Sequence, residues 1–346
     1  MTRVAHVMAG AAAGGAELFY ERLTIALAAP NPEAPAIEVL PVIRRDPARA
    51  ARLRAGSLEP VQLGFGGGLD LLTRPRLGAV LRRFRPRVTV AWMNRAARLT
   101  PSGDWVLAGR LGGFYDLSNY ARCDHLVGNT RGIVDWIVGQ GWDPSKVHHL
   151  PNFAAEFEAA QPVRPATVPP AAPLVLALGR LHANKAFDVL IRAMHWIPQA
   201  HVLIAGEGPE RAALEALARA EGVADRLHMP GWAENTGGLL AASDVLVCPS
   251  RHEPLGNVVI EAFSASRPVV AASSQGPVEL IVHGNDGLLV PLEDAIALGQ
   301  ALALLLEDRA LAARLAAAGR ARYEADFAAG PVLDRWRRFL TTVEKR

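Results

Sequence analysis

In "RHEPLGNVVIEAFSASRPVVAA" (residues 251–272), Glu253 stands in a Pro/Gly turn after the apolar run "DVLVCPS", and Glu261 follows on a helix begun by Gly256 and Asn257. The spacing reads as placing Glu261 about two turns into that helix. A carboxylate accepts two hydrogen bonds from a vicinal diol, so the two acids suit a site that grips hydroxyl groups. A capped helix with a solvated face explains the same spacing, and spacing alone leaves both open. Upstream, "GRLHANKAFD" sets Arg180 just past a strand end and Lys185 just before a helix. Two cations able to converge match a diphosphate, with Arg giving a forked contact and Lys a point charge. The chain has 3 lysines against 34 arginines, which sets Lys185 apart from surface filler.

Glycine turns frame these residues. "AGEGPE" puts Gly206, Gly208 and Pro209 in a strand-to-helix turn at the same edge, with Pro209 suited to a first helical position. In "GAAAGGAE", Gly14 and Gly15 fall between a strand and a helix, where backbone N–H groups can approach a phosphate. The spacing is not G-x-G-x-x-G, and no acid closes a following strand, which disfavours a dinucleotide such as NAD.

Short β-branched runs alternate with Ala/Leu-rich helical stretches, the pattern of parallel βαβ architecture. The reading is two doubly wound α/β domains: residues 1–157, a Pro/Ala-rich linker at 158–173, and residues 174–330. A C-terminal helix over 331–346 is expected to return to the first domain. Ligands of such sheets sit at the carboxyl ends of the strands, and two facing domains make a cleft.

At 346 residues the chain fits two domains of ordinary size. Two distant cysteines, Cys123 and Cys248, form no zinc or disulfide pattern, so a cytoplasmic setting is the default. His6 interrupts the apolar run at the amino terminus, which argues against a secretory leader. Nowhere do about 18 apolar residues run uninterrupted. Net charge is +6 over residues 1–165 and −3 over 166–346, so the first half suits an anionic partner or membrane surface. "RRDPARAARLR" and "RPRLGAVLRRFRPR", with interleaved Leu and Phe, fit peripheral contact with anionic lipid. No nucleic-acid recognition motif accompanies them.

The combination E-P-x-G-x-x-x-x-E after a strand, G-R-x-x-x-x-K, G-x-G-P and an N-terminal G-G-A-E resembles the retaining glycosyltransferases of family 4, which have the GT-B fold. "CDHLVGNT" and "LPNF" resemble that family's stretch at the end of the first domain. The resemblance implies sugar transfer from a nucleoside-diphosphate donor to a hydroxyl acceptor, without cofactor or metal. No D-x-D occurs in the chain, in agreement. Arg180 and Lys185 would neutralise the leaving diphosphate. Glu253 would contact the donor sugar, with the amides of Leu255, Gly256 and Asn257 nearby, and Glu261 would bind ribose. Gly14 and Gly15 would line the loop near diphosphate and acceptor. Catalysis of this kind needs charge stabilisation at the leaving group more than a protein nucleophile.

One departure is visible. Many family members carry a histidine near the donor sugar after a first-domain strand, whereas "VLAGRLGGFYDL" offers Arg110 and Asp116 but no histidine. Arg110, Asp116 and Asn94, the last at another strand end, are therefore acceptor-side candidates. Habit of the family and the basic first half point to a bacterial lipopolysaccharide or other cell-envelope acceptor, at the inner face of the cytoplasmic membrane. The alternatives are a sugar-nucleotide epimerase of the same architecture and a sugar-nucleotide-binding partner subunit with weak or no catalysis.

Overall fold

A computed structural model describes all residues except 11–13, 32–34, 67–69 and 346. The chain divides into two compact units, Met1–Asn152 with Gly330–Arg346, and Phe153–Ala329.

In the first unit the elements follow as β1 (Thr2–Met8), α1 (Gly15–Ala28), β2 (Ile37–Arg44), α2 (Pro47–Ala55), β3 (Val61–Leu63), α3 (Thr73–Phe84) and β4 (Val88–Trp92). Then come α4 (Met93–Leu99), β5 (Val106–Leu111), β6 (His125–Gly128), α5 (Arg131–Gly139) and β7 (Val147–His149). The strands form one parallel sheet in the order β3-β2-β1-β4-β5-β6-β7. Helices cover both faces of such sheets, so β4 is buried along its whole length and is apolar except for Thr89. Local capping fixes helix starts: the Asp46 side chain accepts from Arg49 N with Pro47 at the first helical position, and Thr130 accepts from Ile133 N.

The second unit repeats the plan with β8 (Leu174–Leu178), α6 (Phe187–Ala193), β9 (His201–Ala205), α7 (Arg211–Ala220), β10 (Leu227–Gly231), α8 (Thr236–Ala242) and β11 (Val245–Cys248). It continues with α9 (Asn257–Ser264), β12 (Val269–Ala272), α10 (Gln275–Leu280), β13 (Leu288–Val290), α11 (Ala295–Glu307) and α12 (Arg309–Arg322). The sheet order is β10-β9-β8-β11-β12-β13, again parallel.

The stretch read as a linker packs into this unit. Val163 N donates to Gly238 O, Val168 is buried, and Arg164 bonds the carbonyls of Pro169 and Ala172. Proline there removes donors without preventing docking through the remaining N–H groups.

The last helix, α13 (Ala329–Thr342), belongs to the first unit. Trp336 stacks on Trp92 with centroids 6.1 Å apart and planes at 10°. Arg87 Nη2 donates to Val343 O at 2.9 Å, and a His125 ring nitrogen lies 2.7 Å from Glu344 O. No helix among the described residues is long and apolar enough to cross a membrane.

Candidate functional site

The loops after β8, β9 and β11 bring the acids and cations of the second unit together. Lys185 closes a short 3-10 turn, Ala183–Lys185, ahead of α6, and its ammonium forms an ion pair with the Glu253 carboxylate. Ser250 Oγ donates to the same carboxylate oxygen at 3.3 Å. Burial works against the Lys185 charge, but Glu253, with smaller contributions from Cys248 and Glu261, outweighs it and holds the ammonium above its ordinary pKa. The Cys248 thiol beneath is pushed up to about 11 by burial and by Glu253, and stays neutral. Arg180 is exposed and has no side-chain partner among the described residues.

The backbone of these loops is knitted tightly. Gly179 N donates to Ala205 O at 3.2 Å and Leu181 N to Glu207 O at 2.9 Å. A Cβ on Gly206 would lie 1.8 Å from Gly179 O, and one on Gly208 would lie 2.2 Å from Leu181 O. These two glycines let the turns after β8 and β9 touch backbone to backbone, which fixes the loop carrying Arg180. Pro209 does not open the helix: α7 starts at Arg211, because the turn that meets Leu181 uses residues 208–210 first.

Gly256 adopts φ 89°, a left-handed conformation that favours glycine, and turns the chain into α9. Glu261 is the fifth residue of that helix, about one turn in rather than two, because residues 253–256 form an irregular turn before helical geometry begins. Leu255 is buried against the second core, and Gly276 N anchors Glu253 O at 2.7 Å.

Sequence reasoning missed the clamp behind this pair. Arg251 makes a two-pronged contact with Asp188, at 2.8 and 2.7 Å, pairs with Glu293, and donates to Ala183 O at 2.8 Å. Its own N–H bonds Asn184 O at 2.9 Å. One side chain therefore ties the turn carrying Lys185 to the loop carrying Glu253 and to the first turn of α6. Asp188 three residues after Lys185, and Arg251 two before Glu253, were visible as charges, but nothing in their spacing paired them.

In the first unit, Gly14 precedes α1 and Gly15 opens it, while residues 11–13 of that loop lie outside the described residues. A Cβ on Gly10 or Gly14 would fall 2.2 or 2.4 Å from a carboxylate oxygen of Glu17, so both glycines make room for that buried acid. Arg110 is only 1% exposed. It donates to Asn152 Oδ1 at 2.6 Å and lies 5.0 Å from the Trp92 ring centroid and 5.6 Å from that of Phe19. Burial lowers its pKa to about 10, so it remains a cation at neutral pH, beneath the surface rather than on it. Asp116 is exposed and caps its own turn through Ser118 N and Oγ. Asn94 lies on α4, a helix the sequence reading did not separate from its flanking strands, which Met93 starts with φ 65°.

Part of the basic run on α2 is already paired. The buried Glu21 carboxylate binds Arg49 at 3.0 Å and Arg52 at 2.6 and 2.9 Å, and Arg54 pairs with Glu59. On α3, Arg74, Arg76, Arg82 and Arg83 are exposed with no ion-pair partner among the described residues. No group of three or more His, Cys, Asp or Glu among the described residues is arranged to hold a metal ion.

Comparison with known proteins decides the family. Residues 172–308 match the family described as "Glycosyl transferases group 1". Over 336 residues, 95% of this chain and 96% of the relative, the sequence is 33% identical to the lipopolysaccharide core biosynthesis glycosyltransferase LpsE of Rhizobium meliloti (strain 1021). The chain belongs to the group 1 glycosyltransferases. A second such relative, LpsD of the same organism, is 32% identical over 337 residues, 96% of each chain. The fold of this glycosyltransferase matches that of Anabaena HepE, solved in complex with UDP-glucose, at a TM-score of 0.82 over 99% of this chain and 100% of that one, with 18% identity. The two parallel sheets are thus those of a GT-B enzyme, and family 4 membership makes it a retaining glycosyltransferase that uses a nucleotide-sugar donor.

Proposed function

We propose that this glycosyltransferase moves a sugar from a nucleoside-diphosphate donor to a hydroxyl of a lipopolysaccharide core acceptor, without a metal ion. The observation that carries the reading is the Lys185–Glu253 pair, which stands beside the start of α9, with Arg180, whose side chain has no partner among the described residues, on the neighbouring loop. Arg180 and Lys185 neutralise the departing diphosphate, and the amides of Leu255, Gly256 and Asn257, in the turn that leads into α9 and at its first residue, take a phosphate oxygen or sugar hydroxyl. Glu253 meets the donor sugar, Glu261 holds ribose hydroxyls, and the turn at Gly206, Gly208 and Pro209 forms a backbone wall. Gly14 and Gly15 line the donor diphosphate where it meets the acceptor.

The acceptor class is supported by the names of LpsE and LpsD and by the basic first unit. On α3 the four arginines follow the exposed Leu71 and Leu72, which supports contact with anionic lipid at the inner face of the cytoplasmic membrane.

The test is thermal stabilisation by UDP, GDP, ADP, CMP and NAD on the wild type and on Glu261→Ala. A ligand at 100 times its dissociation constant adds roughly 2.7 kcal/mol. One nucleoside diphosphate should stabilise the wild type, and the variant should lose most of that gain. Stabilisation by none of them, or an unchanged variant, would reduce residues 253–261 to a capped helix.

A further inference from the structure

The donor reading leaves a cavity of about 280 Å³ in the first unit without a role. It lies at the carboxyl ends of β1, β2 and β4, and its lining includes Gly10, Arg44, Met93, Asn94, Arg95 and Tyr115. Small-ligand pockets run roughly 300–1,000 Å³, so this one has room for a single sugar unit.

We propose that this cavity is an acceptor subsite for an anionic sugar, one bearing a carboxylate or a phosphate. This rests on the reading that the first unit takes the acceptor. The charges argue it. Arg44, the last residue of β2, is exposed and has no ion-pair or hydrogen-bond partner among the described residues. Arg95 is exposed too, and among the described residues its side chain reaches only the Phe65 carbonyl, at 3.5 Å. No Asp or Glu lines the cavity among the described residues.

Behind its wall stands a third guanidinium, Arg110, against Trp92. Two acids stand near without lining the cavity: Glu17, beside Gly10 and Gly14, and Asp70, bonded to Gly66 next to the Phe65 carbonyl that Arg95 reaches. Two guanidiniums with no ion-pair partner among the described residues, on one small cavity, leave a place that an anion fills with forked, charge-assisted bonds.

The other lining residues suit a sugar ring rather than a bare ion. Asn94 lines the cavity with its amide, a group able to hydrogen-bond ring hydroxyls. Tyr115 is half-buried, offering an apolar ring face and a phenol. Met93 holds a left-handed φ of 65° on the cavity wall, a non-glycine conformation that persists where surrounding structure over-determines it and that clusters at ligand sites.

The experiment is saturation-transfer NMR on the full chain at low salt, with and without UDP. The probes are methyl glucuronide, glucose 6-phosphate and methyl glucoside, with acetate and inorganic phosphate as ring-free anions. At least one charged sugar should bind about tenfold or more tightly than methyl glucoside. Which of the two does so distinguishes carboxylate from phosphate.

The double variant Arg44→Gln/Arg95→Gln should erase the preference while UDP affinity stays at the wild-type value. The pair Arg44→Lys/Arg95→Lys, which keeps charge but loses the fork, should retain part of it. Equal binding of charged and neutral sugars, binding of none, a preference that survives in the Gln variant, or ring-free anions binding as well as the charged sugars would each overturn the proposal. Failure of the wild type to bind UDP, GDP or ADP, with the sugar preference intact, would instead overturn the donor reading alone.

Discussion

The two units share a doubly wound plan but handle charge in opposite ways. In the second, the key charges stand at loop ends in opposed pairs: Lys185 with Glu253, and Arg251 with Asp188 and Glu293. In the first, polar groups are driven inward. Arg110 is buried against Asn152 and two aromatic rings, and His6 is fully buried between Tyr20, Trp92 and Trp336. An opposed pair at a loop end can exchange partners when an anion arrives. A buried cation instead sets a fixed field and stiffens what lies above it. The second unit is therefore built to respond to a charged ligand, and the first to present a fixed positive surface.

The largest expected effect comes from breaking the responsive pair. Lys185→Met should lower kcat by about 10²–10³, the usual loss when one group stabilising transition-state charge is removed. Steady-state transfer kinetics measures it. A fall in kcat comparable to that of a surface lysine variant such as Lys345→Met would remove Lys185 from the chemistry.

Next in size is the clamp. Arg251→Met should cost about 10–100-fold in kcat, because the turn carrying Lys185 and the loop carrying Glu253 lose their common tie and small misplacements are expensive. Its contribution to stability should stay near 1 kcal/mol or less, since the pairs are partly exposed. Arg251→Lys keeps a charge but not the fork, and should recover only part of the rate. Equal losses of rate and stability would make Arg251 a general structural residue.

The same contrast explains what could be read from the sequence. The donor-side residues are legible because each loop of a parallel sheet is a contiguous segment. "GRLHANK", "GEGP" and "EPLGNVVIE" each carry their chemistry within ten residues, and the sheet alone aligns them. The alternation of strands and helices was legible for the same reason.

Arg251 with Asp188 was not, because the partners are 63 residues apart and either charge alone reads as solvated surface. Nor was the cavity of the first unit, whose residues come from four separate segments with no shared period. The basic runs misled in one respect: on α2 the arginines face a buried glutamate on α1, a pairing that only the fold creates. Helix α4 escaped notice because a left-handed Met93 starts it, and no residue type announces that conformation.

The smallest expected effect, acid sensitivity, tests whether inward-driven polar groups distinguish the first unit. Burial lowers the His6 pKa to about 3 and the His148 pKa to about 4, the latter helped by the neighbouring His125 and Lys146. Both sit below the ordinary histidine value near 6.5, so the unfolded chain binds protons that the folded unit refuses. The stability they contribute is fully present above about pH 6.5 and is lost as pH falls through 6.5 towards 4.

Each histidine can add a slope of up to about 1.4 kcal/mol per pH unit across that window. His6 is the sharper case, because its Nε2 has no acceptor among the described residues for the N–H that protonation would add. Amide hydrogen exchange at pH 6.5 and 4.5, corrected for intrinsic rates, reads the two units separately. Protection should fall first in β1 and β4 and later in β8 and β11, and His6→Met should flatten the difference. Equal acid sensitivity in both units would mean that the charges of the second, despite their exposed pairing, are as costly to protonate as the polar groups buried in the first.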